Sequence, residues 1–213
     1  EILIGLVGSE MCIRDRFTPG IPADSPMILT MAASQQNRIA WISSLRGLMI
    51  GTSEGEWRLR ASDSAGINAN NAEFERHSGV GSSLLDALTV ENSLLFVQQG
   101  GRKVREFFYS LEADGFLTRD VSLLSDHLLT EGIVDWTVQR STAFHVWCVL
   151  KDGSAVCMTL NREQNIVAWH AHRLEHGRIL SVASLRSSQD TQDEEVWFTV
   201  ERGEGEHACI TVE

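Results

Sequence analysis

Three histidines crowd one stretch of the chain, His170, His172 and His176. On a strand, residues i and i+2 share a face, so His170 and His172 could converge on one ion. A zinc site would still need a third ligand, from His145 or a carboxylate. The plainer reading of the same alternation turns Trp169 and Ala171 inward and His170 and His172 outward, and no metal site is expected. Serines are plentiful, but no G-x-S-x-G elbow presents one as a nucleophile. Gly79-Val80-Gly81-Ser82-Ser83 is glycine-rich, yet it lacks the lysine and the preceding buried strand of a phosphate loop. The acidic run Asp190, Asp193, Glu194, Glu195 lacks the spacing of a calcium loop and reads as a solvated loop. No catalytic residue and no cofactor is expected. One cationic knot stands out, Arg102, Lys103 and Arg105, straight after the Gly100-Gly101 turn. The chain has only two lysines, Lys103 and Lys151, so this knot is the candidate contact to an acidic surface on a neighbouring subunit.

The elements that must position these residues are strands. Four units open on similar apolar stretches at Ile39, Ala87, Ile133 and Ile179, spaced by 48, 46 and 46 residues. Each continues into a second strand, at Leu48–Ile50, Leu94–Val97, Val146–Leu150 and Val196–Val200. A glycine turn follows in every unit: Ser53-Glu54-Gly55, Gly100-Gly101, Asp152-Gly153 and Gly203-Glu204-Gly205. Third strands come next, at Glu56–Arg60, Lys103–Tyr109, Ala155–Leu160 and His207–Val212. The third unit adds a fourth strand at Ile166–His172. A period in the mid-forties with several strands per unit predicts an all-β, propeller-like array of antiparallel sheets. The alternative is a β-sandwich, in which strands recur without true repeats. Asp152-Gly153 reads as a two-residue hairpin loop that would set Cys148 opposite Cys157. Three cysteines, Cys148, Cys157 and Cys209, remain once the leading segment is set aside, and the two on the hairpin are expected to be small core residues rather than a disulfide. Ala61 to Ser83 reads as a long loop with a short strand near Phe74. One helix is expected after Asp120, with Val121, Leu124 and Leu128 as its apolar stripe and Gly132 as its end.

Residues 1–16, EILIGLVGSEMCIRDR, back-translate into a transposon-based sequencing adapter with its mosaic end. They are expected to be an adapter-derived artefact that packs on nothing specific, the alternative being a short natural N-terminal strand. Residues 17–38 hold all three prolines, Pro19, Pro22 and Pro26, and read as a linker-like lead into the β domain at 39–213. The fourth unit stops in its third strand, so truncation is expected at both ends. The net charge of −11, or −10 without the first sixteen residues, makes tight binding to nucleic-acid phosphates a poor expectation. No apolar run approaches the ~20 residues of a membrane helix.

Residues Ser93-Leu94-Leu95-Phe96-Val97-Gln98-Gln99-Gly100-Gly101-Arg102-Lys103-Val104-Arg105-Glu106, then Tyr109 and Asp114-Gly115-Phe116, form a long and unusual motif. With His127-Leu128, Glu131-Gly132-Ile133-Val134-Asp135, Asn161-Arg162-Glu163-Gln164 and Val167-Ala168-Trp169-His170, it resembles the tail nozzle, or tail tubular protein B-like, proteins of short-tailed bacteriophages. The resemblance covers roughly residues 39–212. It implies a structural virion protein, not an enzyme: a propeller-containing subunit of a homo-oligomeric ring at the distal end of the tail tube, assembled in the host cytoplasm. Such a ring takes DNA from the portal and adaptor proteins above it, lets it pass without specific binding, and closes the channel before ejection. The family offers no catalytic residues to carry over. Two other classes stay open on the residues alone: a receptor- or glycan-binding propeller, which needs an exposed aromatic shelf, and a propeller hydrolase, which needs a convergent carboxylate pair or triad in a central pocket. The tryptophans Trp41, Trp57, Trp136, Trp147, Trp169 and Trp197 lie on expected strands and are expected to pack the core.

Overall fold

The structure, a computed structural model of the 213-residue chain, describes residues 2–4, 27–29, 31, 37–63, 66–68, 70–141, 143–187, 193–203 and 209–213. It is all-β, with four antiparallel sheets that do not close into a barrel. A short ribbon comes first, β1 (Ile2–Ile4) against β2 (Met27–Leu29). The first sheet holds β3 (Ile39–Ser44), β4 (Leu48–Thr52), β5 (Gly55–Ala61) and β6 (Ala72–Ser78). The second holds β7 (Leu88–Val90), β8 (Ser93–Val97), β9 (Val104–Ser110) and β10 (Gly115–Asp120). The third holds β11 (Ile133–Gln139), β12 (Phe144–Leu150), β13 (Ala155–Asn161) and β14 (Ile166–His172). The fourth holds β15 (Arg178–Arg186), β16 (Glu194–Arg202) and β17 (Cys209–Val212).

Every sheet is a meander in which strands pair with their chain neighbours, as the repeat predicts and as a Greek-key sandwich would not. The cores alternate with the sheets. Trp41, Met49, Leu94, Phe96 and Phe107 pack between the first and second. Leu95, Val97, Val104, Trp136, Val146 and Met158 pack between the second and third. Val149, Ala155, Ile179, Val182 and Val200 pack between the third and fourth. Strand β8 is therefore buried on both faces, which is why Leu94-Leu95-Phe96-Val97 is a continuous apolar run instead of an alternation. Each such side chain contributes about 1.5–3 kcal/mol by leaving water.

Two devices recur in phase with the repeat. The first strand of three units carries a register shift that skips one residue: Ala40, Val134 and Leu180. Each unit also rests its successor on its middle turn. Gly101 O accepts from Ile133 N at 2.8 Å, and Gly153 O accepts from Ile179 N at 2.9 Å. In the first unit Thr52 O accepts from Ser82 N at 2.8 Å.

The structure departs from the sequence expectations at definite places. The Asp152-Gly153 turn is one residue longer than expected. Gly153 N donates to Leu150 O and Leu150 N to Ser154 O, each at 2.9 Å, so Lys151-Asp152-Gly153 form the loop with Gly153 at φ +84°. The register slips by one, and Cys148 lies opposite Val156 while Cys157 lies opposite Trp147. The two thiols point to opposite faces and are free. Burial raises both, Cys157 to about 12, so neither is a ready thiolate. The expected helix is a 3-10 segment, Leu123–Leu128, preceded by Ser122, whose side chain makes no capping hydrogen bond to it. Asp120 ends β10, a strand the sequence reading missed, and Leu124 is 93% exposed instead of completing a stripe. The short strand expected near Phe74 is present as the seven-residue β6, the outer strand of the first sheet. Most of residues 1–16 lie outside the described residues. Ile2–Ile4 pairs antiparallel with Met27–Leu29, because two apolar runs each find a backbone partner in the other. Leu29 and Met31 then pack on Ile50, Trp57 and Leu59, covering the outer face of the first sheet.

Candidate functional site

The cationic knot is built by the hairpin between β8 and β9. Gly100 and Gly101 sit at φ +99° and +77°, and Gln98 N donates to Lys103 O at 2.9 Å, so the chain reverses and turns the three cations outward from the turn. The pairing of β9 with β10 then sets Arg105 opposite Asp120. Lys103 Nζ lies 3.2 Å from Asp120 Oδ2, and Arg105 Nη2 lies 3.9 Å from it. Arg105 Nε also donates to Gln98 Oε1 at 3.0 Å. Burial alone would raise the Asp120 carboxyl, but the Ser122 hydroxyl and amide, Lys103 and Arg105 outweigh it and hold it below the usual carboxylate range. Two of the three cations are thus engaged within their own sheet, and Arg102 is the member left for an outside contact.

Reversing Arg102, Lys103 and Arg105 to Glu together should therefore harm the fold. In the triple variant, the new carboxylates at positions 103 and 105 would crowd Asp120, whose side chain is only 11% exposed, and a thermal scan should show clear destabilisation. Arg102→Glu alone should leave the unfolding free energy unchanged to within about 0.5 kcal/mol.

Beside the knot sits a group that the sequence reading passed over. Glu106 lies on the face of β9 that also carries Val104 and is 2% exposed. Arg119 Nη2 approaches its Oε2 at 2.8 Å from β10, and Arg162 forms an ion pair with the same oxygen from the turn between β13 and β14. The pair to Arg162 crosses from the second sheet to the third. Two indoles cross the same gap: Trp136 Nε1 donates to Asp86 O and Trp169 Nε1 to Val121 O, at 2.8 and 2.9 Å. The signal for Glu106 was its period-2 match to Val104, which puts a carboxylate on an inward face.

The glycine-rich stretch 79–83 is the packed junction from first sheet to second, with no cradle for phosphate. A Cβ on Gly81 would lie 2.4 Å from Ser53 O. Ser82 Oγ donates at 2.9 Å to Oε1 of Glu56, a residue with no exposed surface. Burial raises the Glu56 carboxyl, and Ser78, Ser82, Arg76 and the Val80 amide only partly offset this. A raised carboxyl means that the folded state keeps its proton where the unfolded chain has lost it. The contribution is present at low pH and is lost as pH rises from the ordinary glutamate range through the raised value. Urea midpoints measured between about pH 4 and pH 7 should therefore fall more, with rising pH, for the wild type than for Glu56→Gln. Parallel curves would exclude this role.

His170 and His172 are exposed, as expected, but their face is shared with Trp147 and looks toward the fourth sheet. Their rings lie 4.7 Å apart, and His172 lies 4.9 Å from Trp147. Burial, followed by the neighbouring His170, lowers the His172 imidazole. Among the described residues no three metal-ligating side chains converge. Of the acidic run, Asp190 lies outside the described residues. Glu194 accepts from the Arg140 amide at 2.5 Å, and Glu195 accepts from Ser187 Oγ at 2.7 Å. Trp41, Trp57 and Trp136 are buried, Trp147 and Trp169 are half-buried, and Trp197 is 39% exposed, a single indole where a glycan shelf would need several.

No family model matches the chain, and the search of curated proteins finds no match. The fold and these surfaces define an all-β scaffold of serial meander sheets, joined by backbone staples, indole hydrogen bonds and a buried ion pair. No helix among the described residues is long and apolar enough to cross a membrane.

Proposed function

We propose that the chain is a structural component of a short bacteriophage tail, a subunit of the nozzle ring through which DNA passes. The observation that carries this reading is the motif at residues 93–106, which resembles the tail nozzle proteins. The packing of these residues supports it: the motif is the hairpin at the centre of the array, with β8 buried on both faces and Glu106 reaching the next sheet. The charge supports the role as well. A conduit has to let phosphates slide, and a net charge of −11 disfavours their capture.

The reading makes the chain a virion part with no reaction of its own. Its ring partners are further copies, with portal and adaptor proteins above. The neighbouring genes on the source DNA provide the direct test. Portal and adaptor genes beside this one are the expected result, and a setting among metabolic genes would refute the proposal. A mobility-shift assay with duplex DNA at physiological salt adds a physical check, in which a retained complex would contradict a non-binding conduit.

A further inference from the structure

Strand β14 forms the outer side of the third sheet. It pairs with β13 over all seven residues, Ile166–His172, and among the described residues no strand pairs with its other edge. The direction of its free backbone groups follows from the hairpin one strand away. Leu150 N donates to Ser154 O across the turn between β12 and β13, and the register runs on from there without a shift. Backbone groups two residues apart point to the same side of a strand, so Val156, Met158 and Leu160 turn theirs toward β12 with Ser154. Ala155, Cys157, Thr159 and Asn161 turn theirs toward β14, where their partners are His172, His170, Ala168 and Ile166. The N–H and C=O groups of Val167, Trp169 and Ala171 therefore face outward. Among the described residues no backbone hydrogen bond from another element reaches them.

Open edges are ordinarily guarded by charge. The outer strand of the first sheet, β6, carries Glu73, Glu75 and Arg76, and that of the second, β10, carries Arg119 and Asp120. Strand β14 reads Ile-Val-Ala-Trp-His-Ala-His, with no Asp, Glu, Lys or Arg and no proline or glycine. Six of its residues are exposed, and the half-buried Trp169 is held by its indole bond to Val121 O. A net charge of −11 repels another copy of the chain over most approaches. At β14 neither copy brings a carboxylate, whereas a basic partner would be drawn to the acidic surface instead. Antiparallel self-pairing centred on Trp169 sets Val167 opposite Ala171 and Ala168 opposite His170. It joins the N–H and C=O of all three outward residues on both copies. Moving the centre to Ala168 or His170 would leave Ala171 or Val167 without a strand partner.

We propose that the outer edge of β14 is a contact between two copies of this chain, which pair edge to edge about a twofold axis at Trp169. The two third sheets then run on as one. Both copies use the same strand, so the contact is isologous and stops at the dimer. The proposal is independent of the tail reading, since it rests on the backbone direction of β14 and on the distribution of charge.

Sedimentation velocity of the full chain over a concentration series, run beside amide hydrogen exchange, tests it. A concentration-dependent dimer is expected. Exchange at the Val167, Trp169 and Ala171 amides should slow at least about tenfold as the dimer forms, while the Ala168 and His170 amides, already bonded to β13, should change little. Ala168→Lys with His170→Lys sets like charges opposite one another across the axis. That double variant should weaken dimerisation at least about tenfold with an unchanged circular dichroism spectrum, because both side chains are exposed. Ala168→Glu with His170→Lys sets opposite charges at the same places and should restore the dimer. A chain that stays monomeric would overturn the proposal, as would a dimer whose Val167, Trp169 and Ala171 amides exchange as in the monomer. So would full dimerisation of the first double variant, or a second double variant as weak as the first. Fibres that bind thioflavin would overturn it too, because they would make the edge an open-ended growth site instead of a closed contact.

Discussion

Arg162→Met should lower the unfolding free energy by about 3 kcal/mol, among the largest single effects expected for this protein. Glu106 is 2% exposed, so it keeps little water to replace a lost partner. Arg119 would remain at 2.8 Å, which places the cost at the lower end of the usual range for breaking a buried pair, but Arg119 belongs to the same sheet as Glu106. The variant thus removes the charge contact that joins the second sheet to the third. Chemical denaturation read by tryptophan fluorescence measures it, because Trp136 and Trp169 bridge the same gap. The double variant Glu106→Leu with Arg162→Met should recover most of the loss, since a matched apolar pair has no charge left to strand. A double variant as unstable as the sum of its singles would mean that the two residues do not act as a pair.

Gly153→Val should cost about 3 kcal/mol or more, for two reasons that add. Gly153 stands at φ +84°, a region that a β-branched residue enters at a cost of roughly 1–3 kcal/mol. A Cβ there would also lie 2.7, 2.9 and 3.0 Å from Arg178 Cβ, Cγ and Cα. Because one of those atoms is backbone, relief requires β15 to move, and the added crowding is worth about 1–3 kcal/mol. The movement would break the hydrogen bond from Ile179 N to Gly153 O, so hydrogen exchange at the Ile179 amide should accelerate in the variant. Gly100→Ala is the control. Gly100 has φ +99° but nothing within 4 Å of its would-be Cβ, so that variant should show the conformational cost alone, about 1 kcal/mol. Equal losses at the two positions would mean that contact with Arg178 contributes nothing.

The amino-acid sequence determined the strands, because the information for a strand is local. Period-2 alternation, apolar openings spaced by 46–48 residues and a glycine turn in every unit place the units at Ile39, Ala87, Ile133 and Ile179, and the first strand of each begins within one residue of those positions. The outer strands β6 and β10 carry a weaker signal, since Ala72–Ser78 and Gly115–Asp120 are largely polar and only partly buried; the sequence marks a short strand near Phe74 and none at Gly115, and pairing with β5 and β9 sets the extent of both. Register was decided by tertiary structure. Asp152-Gly153 signals a turn in any context, but the neighbouring sheet accepts Gly153 O as the seat of Ile179 N, and the three-residue loop delivers it there. That one-residue slip sends Cys148 and Cys157 to opposite faces. The cations followed the same division. Their types and spacing are written in the chain, whereas their pairing with Asp120 follows from the β9–β10 register. Burial of Glu106 against Arg162, far away in the chain, comes from the stacking of one sheet on the next. Local backbone preference reaches only a few residues, and interactions between sheets are settled where the faces meet.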